Sequence, residues 1–355
     1  MSSMKPSVPR GGALGLASCL LALASVVAAP PAAAAAEAPG AAPRYRLEVL
    51  HRSTPGSTAL VTALNNRGEV AFNTSGSGGS AFVWSRGHAT DWGDRFDQIT
   101  DLSDRGDVLG YAGRYDQSSV WRDGRMTPLP GKLEQISPNG QWLAGMAQTR
   151  AAVSDGTRLW FSEPLSEEIQ SYATDVNDHG VAVGISIYDR NGPDGAILFD
   201  RDRTTPLYSF LGYGESQPRA INGAGQVVGY GGVGWFRYDD GAVTTLDLPA
   251  LDINDRGWIV GRDRLLIGGV VHGIAGLLRP ADQARVGYLG LELVNDAGQL
   301  AGLANVDGQG AAVLLTPVPE PRAWALALAG LCGLGLVLRR CPTRPQAGVG
   351  HRSQL

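Results

Sequence analysis

The chain has 355 residues, a formal net charge of −4, 43% hydrophobic residues and 18% charged residues. That is apolar enough for a sizeable core, and the central region has no basic block to serve as a nucleic-acid footprint. The 49 glycines follow no G-X-Y period, which excludes a collagen-like chain and points to many tight turns between short strands.

Residues 1–36 carry a basic start (Lys5, Arg10), the apolar stretch "ALGLASCLLALASVVAA" and the small-residue stretch "PPAAAAAEAPG". This order predicts a secretory signal peptide cleaved after Ala36, with residues 37–44 as a linker. "LASC" places Cys19 in a lipoprotein-type pattern, but the apolar run continues past it to Ala29, which favours ordinary cleavage. The other cysteines, Cys332 and Cys341, lie near the far end. The body between holds no disulfide, cysteine–zinc site or thiol nucleophile.

A ten-residue pattern then recurs seven times: "LNNRGEVAFN", "LSDRGDVLGY", "ISPNGQWLAG", "VNDHGVAVGI", "INGAGQVVGY", "INDRGWIVGR" and "VNDAGQLAGL". Its shared glycines are Gly68, Gly106, Gly140, Gly180, Gly225, Gly257 and Gly298, spaced by 38, 34, 40, 45, 32 and 41 residues. A period near 40 suits a four-stranded propeller blade or a two-helix repeat. The fourth unit decides between them. "ATDV", "VAVGIS", "GAILFD" and "TTPLYS" read as four short strands, "NDHG" is a hairpin turn closed by a left-handed glycine, and no segment has helical periodicity. The third strand usually carries an aromatic (Trp84, Trp121, Phe199, Trp235–Phe236), which fits between stacked sheets beside small residues.

The last unit lacks its fourth strand, and one unassigned strand, "YRLEVL" (45–50), precedes the first unit. The expected fold is all-β: a seven-bladed propeller over residues 45–317, closed by pairing of Tyr45–Leu50 with the strand near Ala311–Leu315. A β-solenoid or open array is the alternative. The [IVL]-N-[DG]-x-G-x-[VL]-x-G cores, each followed by an aromatic strand, resemble HAF repeats of bacterial extracellular proteins over roughly residues 60–316.

The chain then reads Val318-Pro319-Glu320-Pro321, an apolar run Ala323–Leu338, and Arg339-Arg340. Sixteen helical residues span roughly 24 Å, and Trp324 and the arginines extend that reach toward a hydrocarbon core of about 30 Å. The arginines predict a cytoplasmic end. This order resembles the PEP-CTERM sorting signal of Gram-negative bacteria, over 318–340, with 341–355 a basic cytoplasmic tail. The resemblance implies exosortase as processing partner, Val318–Pro321 as its recognition element, and a transient inner-membrane anchor before release to the cell surface or matrix.

Catalytic motifs are missing from the sequence. His51, His88, His179, His272 and His351 are scattered with no paired-ligand spacing, and no G-x-S-x-G or phosphate-binding loop occurs. Asp101, Asp175 and Asp252 precede three of the repeat turns. Their spacing does not match a calcium loop, so they are expected to cap turns. No cofactor is expected. The reading is an exported, non-enzymatic binding or structural scaffold, with an exopolysaccharide or surface proteins as candidate partners. A propeller glycosidase or lyase is the alternative, recognisable by two carboxylates about 5–10 Å apart.

Overall fold

The computed structural model describes residues 42–318, apart from 77–78, 114, 166, 189–193 and 212–213. The expected signal peptide, Ala36, Pro319, Glu320, Pro321, the apolar run and the basic tail lie outside the described residues. Among the described residues no helix is long and apolar enough to cross a membrane.

Strand β1 (Arg44–Arg52) comes first and is set aside by the chain until the end. The first blade is β2 (Ala59–Leu64), β3 (Val70–Thr74), β4 (Ala81–Ser85) and β5 (His88–Asp91). The second is β6 (Gln98–Leu102), β7 (Val108–Tyr111), β8 (Ser119–Arg122) and β9 (Arg125–Pro128), and the third β10 (Lys132–Ile136), β11 (Leu143–Ala147), β12 (Arg150–Ser154) and β13 (Leu159–Phe161). The fourth is β14 (Glu168–Val176), β15 (Ala182–Tyr188), β16 (Gly195–Phe199) and β17 (Thr204–Pro206). A single helical turn, α1 (Tyr208–Leu211), leads to the fifth: β18 (Gln217–Ile221), β19 (Val227–Gly231), β20 (Gly234–Asp239) and β21 (Ala242–Thr245). The sixth is β22 (Asp252–Ile253), β23 (Ile259–Gly261), β24 (Arg264–Ile267) and β25 (Val270–Gly273), followed by α2 (Ile274–Leu277) and α3 (Pro280–Gln283). Strands β26 (Val286–Val294), β27 (Leu300–Val306) and β28 (Gln309–Val318) make three quarters of the seventh, and β1 completes it in the order β1-β28-β27-β26. The fold is a closed seven-bladed propeller.

Both faces of each sheet are covered by neighbouring blades, so middle strands read as continuous apolar runs instead of alternating. Val227 and Val228 of β19 are both fully buried, on opposite sides of one sheet. The core is accordingly seven separate apolar clusters, one per blade junction. The third-strand aromatics enter these junctions: Phe199 and Phe236 are buried completely or nearly so, and Trp84 is 8% exposed.

The inner strands are not regular. In six blades the ladder between first and second strand shifts by one residue, at Thr62, Thr100, Glu134, Thr174, Arg219 and Glu292. Such a bulge bends the strand and increases its twist. It also brings the inner backbone against the second strand, where the repeat carries its second glycine. A Cβ at Gly184 would run into the carbonyl oxygen of Tyr172, and one at Gly229 into that of Gln217.

Closure is specific. Tyr45 pairs with Pro317, Leu47 with Leu315 and Val49 with Val313, and a bulge then sets Arg52 opposite Ala311. Arg44, assigned to the linker by sequence, begins β1, and Val318 is its partner at the end of β28. Tyr45 and Leu47 are buried against the junction of blades six and seven. The outer side of β1 is covered too: Arg279 N–H donates to the Tyr45 carbonyl (3.0 Å), and Leu47 N–H donates to Asp282 Oδ2 (3.1 Å). An edge that would otherwise template pairing with another chain is thus occupied.

Two outcomes follow from this closure. A chain beginning at Ser53 melts at a lower temperature, or aggregates, compared with one beginning at Glu37. Tyr45→Ala, which empties a fully buried ring site, lowers unfolding free energy by about 3–5 kcal/mol in a denaturant titration.

Candidate functional site

The repeated decapeptide spans the end of each inner strand, a turn, and the start of the next strand. Its glycines Gly68, Gly106, Gly140, Gly180, Gly225, Gly257 and Gly298 all take positive φ, between 70° and 90°. Before the glycine, the first Asn folds back over its own turn. Asn65 Oδ1 accepts from the N–H groups of Arg67 (3.1 Å) and Glu69 (2.9 Å), and Asn254 Oδ1 accepts from Arg256 (3.1 Å) and Trp258 (2.9 Å).

The other end of each amide leaves the blade. Asn177 Nδ2 donates to the carbonyl of Asn222, Asn222 to Asn254, Asn254 to Asn295, Asn295 to Asn65, and Asn65 to Ser103, at 2.8–3.1 Å. These five asparagines are 3–4% exposed. The belt breaks where units two and three carry Ser103 and Ser137; there a backbone bond, Asp104 N–H to the Pro138 carbonyl (2.7 Å), joins the blades.

The following position forms a second belt. Asp104 Oδ1 accepts the Asn66 N–H (2.7 Å), Asp178 that of Asn139 (2.8 Å), Asp255 that of Gly223 (2.6 Å), Asp296 that of Asp255 (2.8 Å), and Asn66 Oδ1 that of Asp296 (2.8 Å).

Two residues before the first belt position, Asp101, Asp175 and Asp252 occupy equivalent places in blades two, four and six. They were expected to cap turns, and the structure gives them a longer reach. One oxygen accepts the N–H of the next residue, Leu102, Val176 or Ile253, at 2.7–2.8 Å. The other accepts an N–H from the adjoining blade: Ile136, Ile221 or Val294, at 2.7–2.8 Å. In blades two and four the bulged residue, Thr100 or Thr174, immediately precedes the Asp and bends the strand there.

Most of these groups line a central channel enclosing about 200 Å³. Its wall carries seven aspartates (Asp101, Asp104, Asp175, Asp178, Asp252, Asp255, Asp296) and a single basic side chain, Arg219. Burial pushes the carboxyls of Asp101 and Asp252 up to about 7, against the pull of their two N–H bonds, and each feels another carboxylate as well. Asp175 is raised well above the usual carboxylate range, first by burial and then by Asp252 and Asp101. Asp178 and Asp296 at the mouth are raised by partial burial and neighbouring carboxylates.

Asn66 Nδ2 donates to both Asp104 Oδ2 (3.0 Å) and Asp296 Oδ2 (2.8 Å), so one amide holds two carboxylates at the mouth. Among the described residues no group of three or more His, Asp or Glu side chains is placed to hold a metal ion. His51 lies against Phe72 and Phe82. Sequence reasoning missed the cross-blade partners of the asparagines. The available signal was the constancy of Asn at a position whose turn other residues also close.

No family model and no curated protein matches the sequence. Solved structures do resemble it. The β-propeller domain of the Trilobed protease from Pyrococcus furiosus has 10% identity, a TM-score of 0.47, and a match covering 73% of this chain and 95% of that one. YCF48 from Cyanidioschyzon merolae has 12% identity and a TM-score of 0.43, covering 77% and 99%. An oligogalacturonate lyase in complex with manganese has 11% identity and a TM-score of 0.29, covering 81% and 100%. At these values the likeness is one of shape, and the blade count rests on the ladders themselves.

The raised carboxyls fix the sign of a pH effect. A group whose folded pKa exceeds its unfolded value (about 3.9 for Asp) contributes stability that is fully present below the unfolded value. That stability is lost as pH rises through about 7, the folded value of Asp101 and Asp252. The melting temperature therefore declines from about pH 4 to pH 8, and Asp101→Asn with Asp252→Asn flattens that slope in calorimetry. Asn254→Ala removes both roles of one belt amide and costs at least about 1–3 kcal/mol in chemical unfolding.

Proposed function

We propose that this protein is an exported, non-enzymatic binding or structural scaffold of the cell surface or exopolysaccharide matrix. One observation carries the non-enzymatic reading. The carboxylates that crowd the channel are engaged blade after blade in the same bond, accepting a backbone N–H of the adjoining blade. A catalytic acid or base is a single specialised group; a group repeated at successive junctions with the same partner is a fastener. The signal-like segment 1–36 and the order Pro-Glu-Pro, apolar run, arginines support export and exosortase processing after a transient stay in the inner membrane.

The placement of Arg44 beside Val318 fits this route. Both ends of the ring leave from the end that bears the repeat turns, so a C-terminal anchor leaves the opposite end facing outward. The second reading, a glycosidase or lyase, is favoured only by the pair Asp104 and Asp296 about the amide of Asn66. Incubation of the purified protein with a panel of polysaccharides separates the two. The scaffold reading expects no new reducing ends; cleavage that is lost in Asp104→Asn or Asp296→Asn overturns it. Mass spectrometry of the protein from its host is expected to show a start near Glu37 and no peptide containing Cys332. An intact Cys332 peptide on the surface form overturns the sorting route.

A further inference from the structure

The two ends of the ring differ in chemistry. The described residues expose ten large apolar side chains, and eight lie at the end opposite the repeat turns. Leu60, Ile169 and Tyr288 stand where inner strands begin. Tyr115, Tyr230 and Val233 belong to the hairpins joining second and third strands, and Tyr208 and Phe210 to the connection from blade four to blade five. Tyr115, Ile169 and Tyr288 are 56–60% exposed, Tyr230 49%. The remaining two, Val270 and Val271, follow the turn that opens the outer strand of blade six.

We propose that this hairpin end is the binding face of the scaffold and that its occupant is an uncharged polysaccharide chain. The proposal rests on the scaffold reading above and names its partner class. Three observations favour this occupant. First, three of the five exposed rings at this end are braced by a second ring: Tyr115 on Tyr111 at 5.5 Å, Tyr230 on Trp235 at 5.2 Å, and Phe210 on Tyr238 at 5.5 Å. A braced aromatic offers a rigid amphipathic surface at small entropic cost, and a sugar ring presents matching C–H faces flanked by hydroxyls.

Second, the apolar groups are distributed around blades one, two, four, five and seven, not gathered in one patch. Each offers on the order of 100 Å², well short of the roughly 800 Å² per partner, with a dry centre, of a stable protein interface. A long chain touching several separated platforms gains by multivalency instead. Third, Arg44 and Val318 leave from the other end, so the chain's own terminal segments set out from the far side.

Affinity gel electrophoresis of the mature protein tests this, with hydroxyethylcellulose, galactomannan and dextran as neutral polymers and alginate as the anionic one. At least one neutral polymer is expected to retard the protein. Tyr230→Ala with Tyr288→Ala is expected to weaken that retardation about tenfold or more, at an unchanged melting temperature, while Val271→Ser binds as the parent does. The inference is overturned if no neutral polymer retards the protein, if alginate alone does, or if the double variant binds as the parent does. It is also overturned if sedimentation shows a self-association that the double variant abolishes, since the face then belongs to a second copy. The scaffold reading fails by a different sign, a fall in polymer viscosity during the same incubations.

Discussion

The ring depends on one amide used twice. In the repeat turn an asparagine oxygen holds its own hairpin, while its nitrogen donates to the carbonyl of the corresponding residue one blade on. Local folding and global assembly are thereby coupled through a single side chain of fixed reach. A turn that is not formed cannot present its amide, and a neighbour that is not docked leaves a buried donor unsatisfied, which is costly. Aspartate could hold the turn but could not donate; serine holds it, with Ser103 Oγ accepting the Asp107 N–H (3.1 Å) and Ser137 Oγ that of Trp142 (3.0 Å), but its hydroxyl bonds stay within its own blade. Where Ser103 and Ser137 stand, the ring falls back on a backbone bond and on Arg122, which pairs with Asp107 of its own blade and donates to the Gly140 carbonyl of the next (2.5 Å).

The aspartates of blades two, four and six add a second periodicity. Each clasps the following odd-numbered blade, so the ring is fastened in pairs, two with three, four with five, six with seven. Seven is odd, and blade one is left without such a clasp. It is also the blade with Phe72 in place of the second glycine, stacked at 5.1 Å on Phe82, and it adjoins the junction where β1 ends. Concentrating carboxylates in an enclosed channel opposes their ionisation, and the backbone N–H groups only partly offset it. The fastening thus carries an electrostatic strain that grows as protons leave.

Much of the fold was legible because it could be counted. Seven decapeptides, a final unit short of one strand, and an orphan "YRLEVL" ahead of the first unit leave closure as the arrangement that satisfies every edge. The turn glycines were legible because few other residues tolerate their backbone conformation. The bulges were not. Thr62, Glu134 and Arg219 share no chemistry, and an extra residue in a strand is invisible until its partner strand is aligned. The belts were half legible. Asn65 announces a turn, but its second partner, Ser103, lies in the next repeat, beyond any local pattern. The aspartates looked like caps because their nearer bond is a local one; the longer bond exists only once two blades stand side by side.

The seating of β28 bears on how the molecule carries force. The strand lies between β27 and β1, antiparallel to both, with Val318 at its tip. Tension drawn through Val318 along the strand loads the rungs on both sides simultaneously, in shear, so that many bonds must fail together. Pulling Arg44 and Val318 apart would instead open the β1–β28 rungs one by one, like a zip. A ring tethered only through its C-terminal strand is therefore held in its strong direction, and the weak direction is engaged only if both ends are gripped.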